Sequence, residues 1–215
     1  MPEYGAAMDT FAMIAAERRA LADLVEGLTE AQLDTPSLCG EWTVRVVAAH
    51  LTVPLTLSIP GVVGAFVTSA FNFDKANTKL ARQRAERPIA EIVGCLREHA
   101  EHRFTPPGMG AGAPLTDTIV HGQDMRRPLG IPHDHEPSHL AAALDFVTTG
   151  APTGFVPRGR LADLHLVATD QTWQTGSGAE VRGPAEALLL AATGRTAALD
   201  ALDGEGAAVL RARLV

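Results

Sequence analysis

Asp117 and His121 stand four residues apart in Asp117-Thr118-Ile119-Val120-His121, and a lone His50 sits far upstream in an apolar stretch. Side chains at i and i+4 of a helix lie one above the other on the same face, so this pair can aim a carboxylate and an imidazole at one point. With His50 the set is two histidines and a carboxylate. That complement suits a three-coordinate protein site that leaves a divalent ion, zinc above all, an open position for water or a thiol. On spacing alone the pair also reads as an ordinary helix-surface pair or a helix cap, and His50 as a core histidine satisfied by backbone. Asp124, three residues after His121, shares its face and reads as a fourth ligand, a partner for an imidazole, or an ion pair with Arg127; the imidazole partner is preferred.

The words around these residues are more specific. Ser37-Leu38-Cys39-Gly40-Glu41-Trp42-Thr43-Val44-Arg45 leading to Ala48-Ala49-His50-Leu51, then His121-Gly122-Gln123-Asp124-Met125-Arg126-Arg127-Pro128-Leu129-Gly130, resembles the mycothiol-dependent maleylpyruvate isomerase family. A third stretch, Ala168-Thr169-Asp170 through Trp173, Val181-Arg182-Gly183-Pro184 and Thr193-Gly194-Arg195, is similar to that family's C-terminal domain. The resemblance implies a mainly α fold, a DinB-like four-helix metal-binding bundle followed by a small α/β domain. It also implies zinc on His50, Asp117 and His121, holding as a thiolate mycothiol, the small thiol cofactor of actinobacteria. Arg195 matches the family arginine that handles a carboxylate-bearing substrate or cofactor, although a guanidinium there could equally cap its own helix. The chain departs from the family pattern in having Asp117 where a glutamate is expected, and Val46 where an acidic residue is common.

The elements that must position these groups are legible from periodicity. A first helix is expected from about Met8 to Gly27, with Phe11, Ile14, Leu21 and Leu24 inward and Glu17, Arg18, Arg19 and Glu26 outward. Thr29 and Gln32 have capping-box spacing, and Thr43 is the natural N-cap of the His50 helix. Pro54, four residues after His50, should kink that helix. Pro88 opens another helix with Ile89, Ile92, Val93 and Leu96 buried. Pro114 can start the Asp117 helix, which should stop before Pro128, and Ser138 should cap a last bundle helix. Periodicity ends at Gly150-Ala151-Pro152-Thr153-Gly154, which is read as a linker between a bundle at residues 1–150 and an α/β domain at 155–215. In the latter, Leu164, Leu166 and Ala168 alternate as a strand, Trp173 falls in a second strand, and Pro184 to Thr193 form a helix closed by Gly194.

Composition narrows the function. A chain of 215 residues with 46% hydrophobic content can fill a real core. A net charge of −7 gives no footprint for nucleic acid; Arg18-Arg19 and Arg126-Arg127 are read as solvated helix ends. Val46 to Phe71 lacks Asp, Glu, Lys and Arg, but its prolines and glycines argue for two buried helices over a membrane span. Cys39 and Cys95 form no C-x-x-C pair, and with no secretory signal a reduced, cytoplasmic setting is expected. Both are read as small buried residues over nucleophiles. His133, His135 and His139, among prolines, are read as a solvated turn. No feature of the sequence sets an oligomeric state.

The leading reading is a zinc-dependent enzyme that uses mycothiol to isomerise or S-conjugate a small electrophile, as isomerase or thiol S-transferase. One alternative is a metal-water hydrolase with Asp124 as base; another is a metal-stabilised binding or regulatory protein without turnover.

Overall fold

Apolar spacing after Asp9 builds helix α1, Thr10–Glu26, whose cap Asp9 accepts a hydrogen bond from Phe11 N. This is the start of a computed structural model that describes residues 9–56, 72–149 and 154–214. The capping box at Thr29 and Gln32 forms and opens α2, Glu30–Leu33. Thr43 Oγ1 accepts from Val46 N at 3.4 Å at the head of α3, Val44–Thr56, and Pro54 lies inside that helix. Pro88 separates α4, Phe73–Ala85, from α5, Ile89–Glu98. Two more helices follow, α6 at Gly112–Leu129 and α7 at Pro137–Thr148.

By packing, the chain divides into two compact units, Met1–Thr105 with Asp117–His133, and Pro106–Thr116 with Asp134–Val215. In the first, α1 packs on α5, and α3 packs on α4 and α5. Leu21, Val25, Val47, Ile92, Leu96 and Met125 share one apolar cluster, so the C-terminal half of α6 joins the helical core. Glu17 and Arg18 belong to that buried side, contrary to the expected solvent face, each being only 4% exposed. The reason is hydrogen bonding. Arg18 Nη1 donates to the carbonyls of His99, Ala100 and His102 at 3.3, 2.9 and 2.8 Å, in the turn that follows α5. Arg126 is likewise buried and does not lie at a solvated helix end.

Helix α6 also differs from expectation, running through Pro128 to Leu129. A proline near the end of a helix removes only its own donor, the one that would otherwise reach the carbonyl four residues back, here that of Asp124. Leu38 N takes that role at 3.1 Å. The chain then turns at Gly130, whose φ of +65° suits glycine.

In the second unit, Pro137 stands at the first position of α7 behind Glu136, so Ser138 lies within the first turn and is not the cap. Leu140, Leu144 and Val147 are buried as expected, and α7 packs on α8, Ala185–Ala192. The sheet has the order β2-β1-β3, from β1 at Leu164–Ala168, β2 at Gln174–Gly176 and β3 at Ala179–Gly183. β1 is antiparallel to β2 and parallel to β3. Trp173 sits just ahead of β2, its carbonyl accepting from Ala168 N at 2.9 Å. A short 3-10 helix, Thr196–Ala201, and α9, Glu205–Ala212, complete the unit without having been foreseen. The described chain is thus mainly helical with one small C-terminal sheet.

The second half of the apolar stretch, residues 57–71, and the expected linker at 150–153 lie outside the described residues. Among the described residues no helix is long and apolar enough to cross a membrane.

Candidate metal centre

His50 comes from the middle of α3, Asp117 and His121 from successive turns of α6. Asp117 presents one carboxylate oxygen to each histidine: Oδ2 lies 3.6 Å from His50 Nε2 and Oδ1 lies 3.4 Å from His121 Nε2. The imidazole rings stand edge to face with centroids 5.0 Å apart. One ligand atom from each of the three residues falls within 4.8 Å of the others.

These separations are longer than a charge-assisted hydrogen bond, which runs about 2.7–2.9 Å. They match the spacing of two ligands on a tetrahedral zinc, about 3.4 Å for bonds near 2.1 Å. The rest of the environment agrees with that fit. His121 Nδ1 lies 2.9 Å from Oδ2 of Asp124, a side chain with no exposed surface, which leaves Nε2 facing Asp117 and His50. Metal-binding histidines are usually held this way by a carboxylate behind the ring. Among the described residues His50 Nδ1 has no such partner and is buried without a hydrogen bond.

Charge is concentrated here. Burial opposes ionisation of Asp117, but the His121 and His50 imidazoles beside it win and hold its carboxyl well below the usual carboxylate range. Burial likewise opposes a proton on His121, yet Asp117, Asp124 and Cys39 around the ring raise its pKa well above the ordinary imidazole value. A site that attracts a proton this strongly is built for positive charge, and a divalent ion is the stronger claimant once the imidazoles are neutral.

Two contributors escaped the sequence reading. Trp42 covers both histidines, with its ring centroid 5.1 Å from that of His50 and 6.3 Å from that of His121. Cys39 reaches the Asp124 side of His121. Only the order of Cys39 and Trp42 within one motif hinted at either role. Arg195 belongs to the other unit, where its Nη1 donates to Thr193 O at 2.9 Å, at the end of α8. His135 and His139 are buried, so the segment read as a solvated turn is part of the packed protein.

Comparison with known proteins bears on the fold. Residues 14–104 match the mycothiol maleylpyruvate isomerase N-terminal domain; His50 lies within the match, Asp117 and His121 beyond it. No curated protein matches the chain. The crystal structure of the mycothiol-dependent maleylpyruvate isomerase shares its fold, with a TM-score of 0.58 at 12% identity over 92% of each chain. A histidine-to-alanine mutant of that isomerase gives a TM-score of 0.57, again at 12% identity over 92% of each chain. Over residues 14–104 the chain is thus similar to the mycothiol maleylpyruvate isomerase N-terminal domain, and over nearly its whole length it shares the fold of that isomerase.

Proposed function

We propose that the protein is a cytoplasmic enzyme that uses mycothiol to isomerise or S-conjugate a small electrophile at a divalent ion, zinc favoured, held by His50, Asp117 and His121. The observation that carries this reading is the ligand-like separation of 3.4 and 3.6 Å between the Asp117 oxygens and the two Nε2 atoms, in a chain whose residues 14–104 match a mycothiol isomerase domain. An ion bound there supplies the positive charge that keeps a coordinated thiol deprotonated at neutral pH.

The protein's own side chains do the rest. Asp124 fixes the rotation and tautomer of His121, so that Nε2 is the free donor. Trp42 covers the two rings and keeps bulk water from that side, which strengthens every charge interaction inside. Arg195 is assigned the carboxylate of the substrate or cofactor, for which a planar guanidinium fork is suited. The domain boundary at 150–155 remains part of this proposal.

Two measurements test it. Elemental analysis should find about one divalent ion per chain in the wild type and loss of that ion in His121→Ala. Calorimetry of mycothiol binding to the metal-loaded protein, run in two buffers of different ionisation enthalpy, should show proton release. Metal without mycothiol binding would move the reading to a metal-water hydrolase or a binding protein; no metal uptake at all would end it.

A further inference from the structure

The two histidines of the centre are backed unequally. Behind His121 stands the Asp124 carboxylate, without exposed surface and 2.9 Å from Nδ1. His50 Nδ1 is also buried, but among the described residues nothing accepts from it. The cause lies in the sequence of α3. One turn before His50 stand Val46 and Val47, and one turn after it Val53 and Pro54. These are the positions that share its face of the helix, and none of the four side chains carries an acceptor. Trp42, whose ring packs on His50 with centroids 5.1 Å apart, has an indole N–H and so is a donor only.

A neutral imidazole carries its one proton on either nitrogen, and only the other nitrogen can hold an ion. On Nε2 of His50 the proton faces Asp117 Oδ2, 3.6 Å away; on Nδ1 it would be buried without an acceptor, which is unfavourable. Without an ion the proton therefore belongs on Nε2, the atom that a metal needs bare. Ligation by His50 requires it to move to Nδ1, a move His121 is spared because Asp124 already holds a proton on its Nδ1. We propose that His50 is the one ligand recruited at a cost, and that residue 46 is a positioning residue whose side chain sets that cost. The inference rests on the ligand set of the proposed function. Helical side chains lean towards the N-terminus, so the His50 ring lies over the turn that carries Val46 and Val47. Val47 is sealed in the apolar cluster, whereas Val46 packs at its edge. Position 46 also lies in the first turn of α3, where Val46 N donates to Thr43 Oγ1 and where the helix favours a carboxylate. By carrying valine there, the chain makes His50 the ligand that its centre gives up most readily.

Long-range proton–nitrogen NMR of histidine-labelled protein reads the tautomer directly, at mildly alkaline pH where imidazole is ordinarily neutral. The His50 signals are those missing from His50→Gln. Before zinc is added, His50 should be in the Nε2–H form, and zinc should convert it to Nδ1–H. Val46→Asp and Val46→Asn each put an acceptor at residue 46, one charged and one neutral. Both should favour Nδ1–H before zinc arrives, and Val46→Asp should tighten zinc about tenfold in competition with a chromophoric chelator, with Val46→Asn shifting affinity the same way. A wild type that binds zinc but is already Nδ1–H without it overturns this inference alone. So does tightening by Val46→Asp with the tautomer unchanged, which is bare charge attraction, and so does unchanged tautomer and affinity in both variants. Absence of zinc binding in the wild type and both variants overturns the ligand set itself, and this inference with it.

Discussion

A histidine ring held at one nitrogen by a buried carboxylate can neither rotate nor change tautomer freely, and His121 is held so by Asp124 behind Nδ1. Asn at position 124 can still accept from Nδ1–H but has no charge to strengthen the imidazole as a donor. Asp124→Asn should therefore weaken metal binding about 10–100-fold, read by competition with a chromophoric chelator, while the helical circular dichroism stays unchanged. Undiminished affinity would deprive Asp124 of this role. Cys95 makes the opposite kind of prediction. Burial pushes its thiol pKa up, against the lowering effect of Arg84, and only the thiolate reacts with alkylating agents. A raised pKa means less thiolate at every pH below it, so alkylation of Cys95 in the folded protein should stay slow through neutral pH. The rate should climb only above the ordinary thiol range. Rapid labelling at neutral pH, found by peptide mass mapping, would contradict the burial argument. Helical spacing alone puts Asp117, His121 and Asp124 on one face, whereas His50 was joined to them only through the family resemblance. Trp42 and Cys39 were not legible, because their approach depends on a turn between helices that no periodicity encodes.

At the scale of elements, the instructive departure is α6. A proline reads as a stop signal, and Pro128 suggested an end before it; the helix instead absorbs the proline in its last turn. The lost donor is not waste, since the carbonyl of Asp124 accepts instead from Leu38 N. Pro128→Ala restores a helical N–H that competes for this carbonyl. The Leu38 amide should then exchange with deuterium faster while α6 stays helical, and an unchanged exchange rate would show that the loop is held by other means. Arg18 teaches a similar lesson about α1. A charge in an amphipathic pattern reads as surface, but the carbonyls at the end of α5 form a receptor for a guanidinium that exists only after the two helices have packed. The capping box fared better because it is local: Thr29 with Gln32 forms it as expected, although Ser138 does not cap α7.

For the whole molecule, the sequence reads as two consecutive pieces, whereas packing puts α7 in the same unit as the sheet. Limited proteolysis should cut first between Gly150 and Gly159, where the sequence places the linker; first cuts within α3 or α6 would argue against that boundary. The nicked protein should nevertheless stay together on gel filtration until denaturant is added. Both sides of the cut share one unit, through α7 against α8, the Phe146–Phe155 ring contact with centroids 5.2 Å apart, and Trp173 Nε1 donating to Asp145 Oδ1 at 2.9 Å. Fragments that separate at once would mean that α7 is not held by the C-terminal unit.

The placement of Trp42 over the two imidazoles also makes the centre optically self-reporting. The chain has 2 tryptophans, and Trp173 lies in the other unit, so Trp173→Phe leaves a single emitter within 5.1 Å and 6.3 Å of the His50 and His121 ring centroids. Protonated imidazole quenches indole fluorescence on contact, and replacing that proton with a closed-shell ion such as zinc removes the quencher. Emission from Trp42 should brighten as zinc loads and dim again under chelator, giving occupancy in real time from the unlabelled protein.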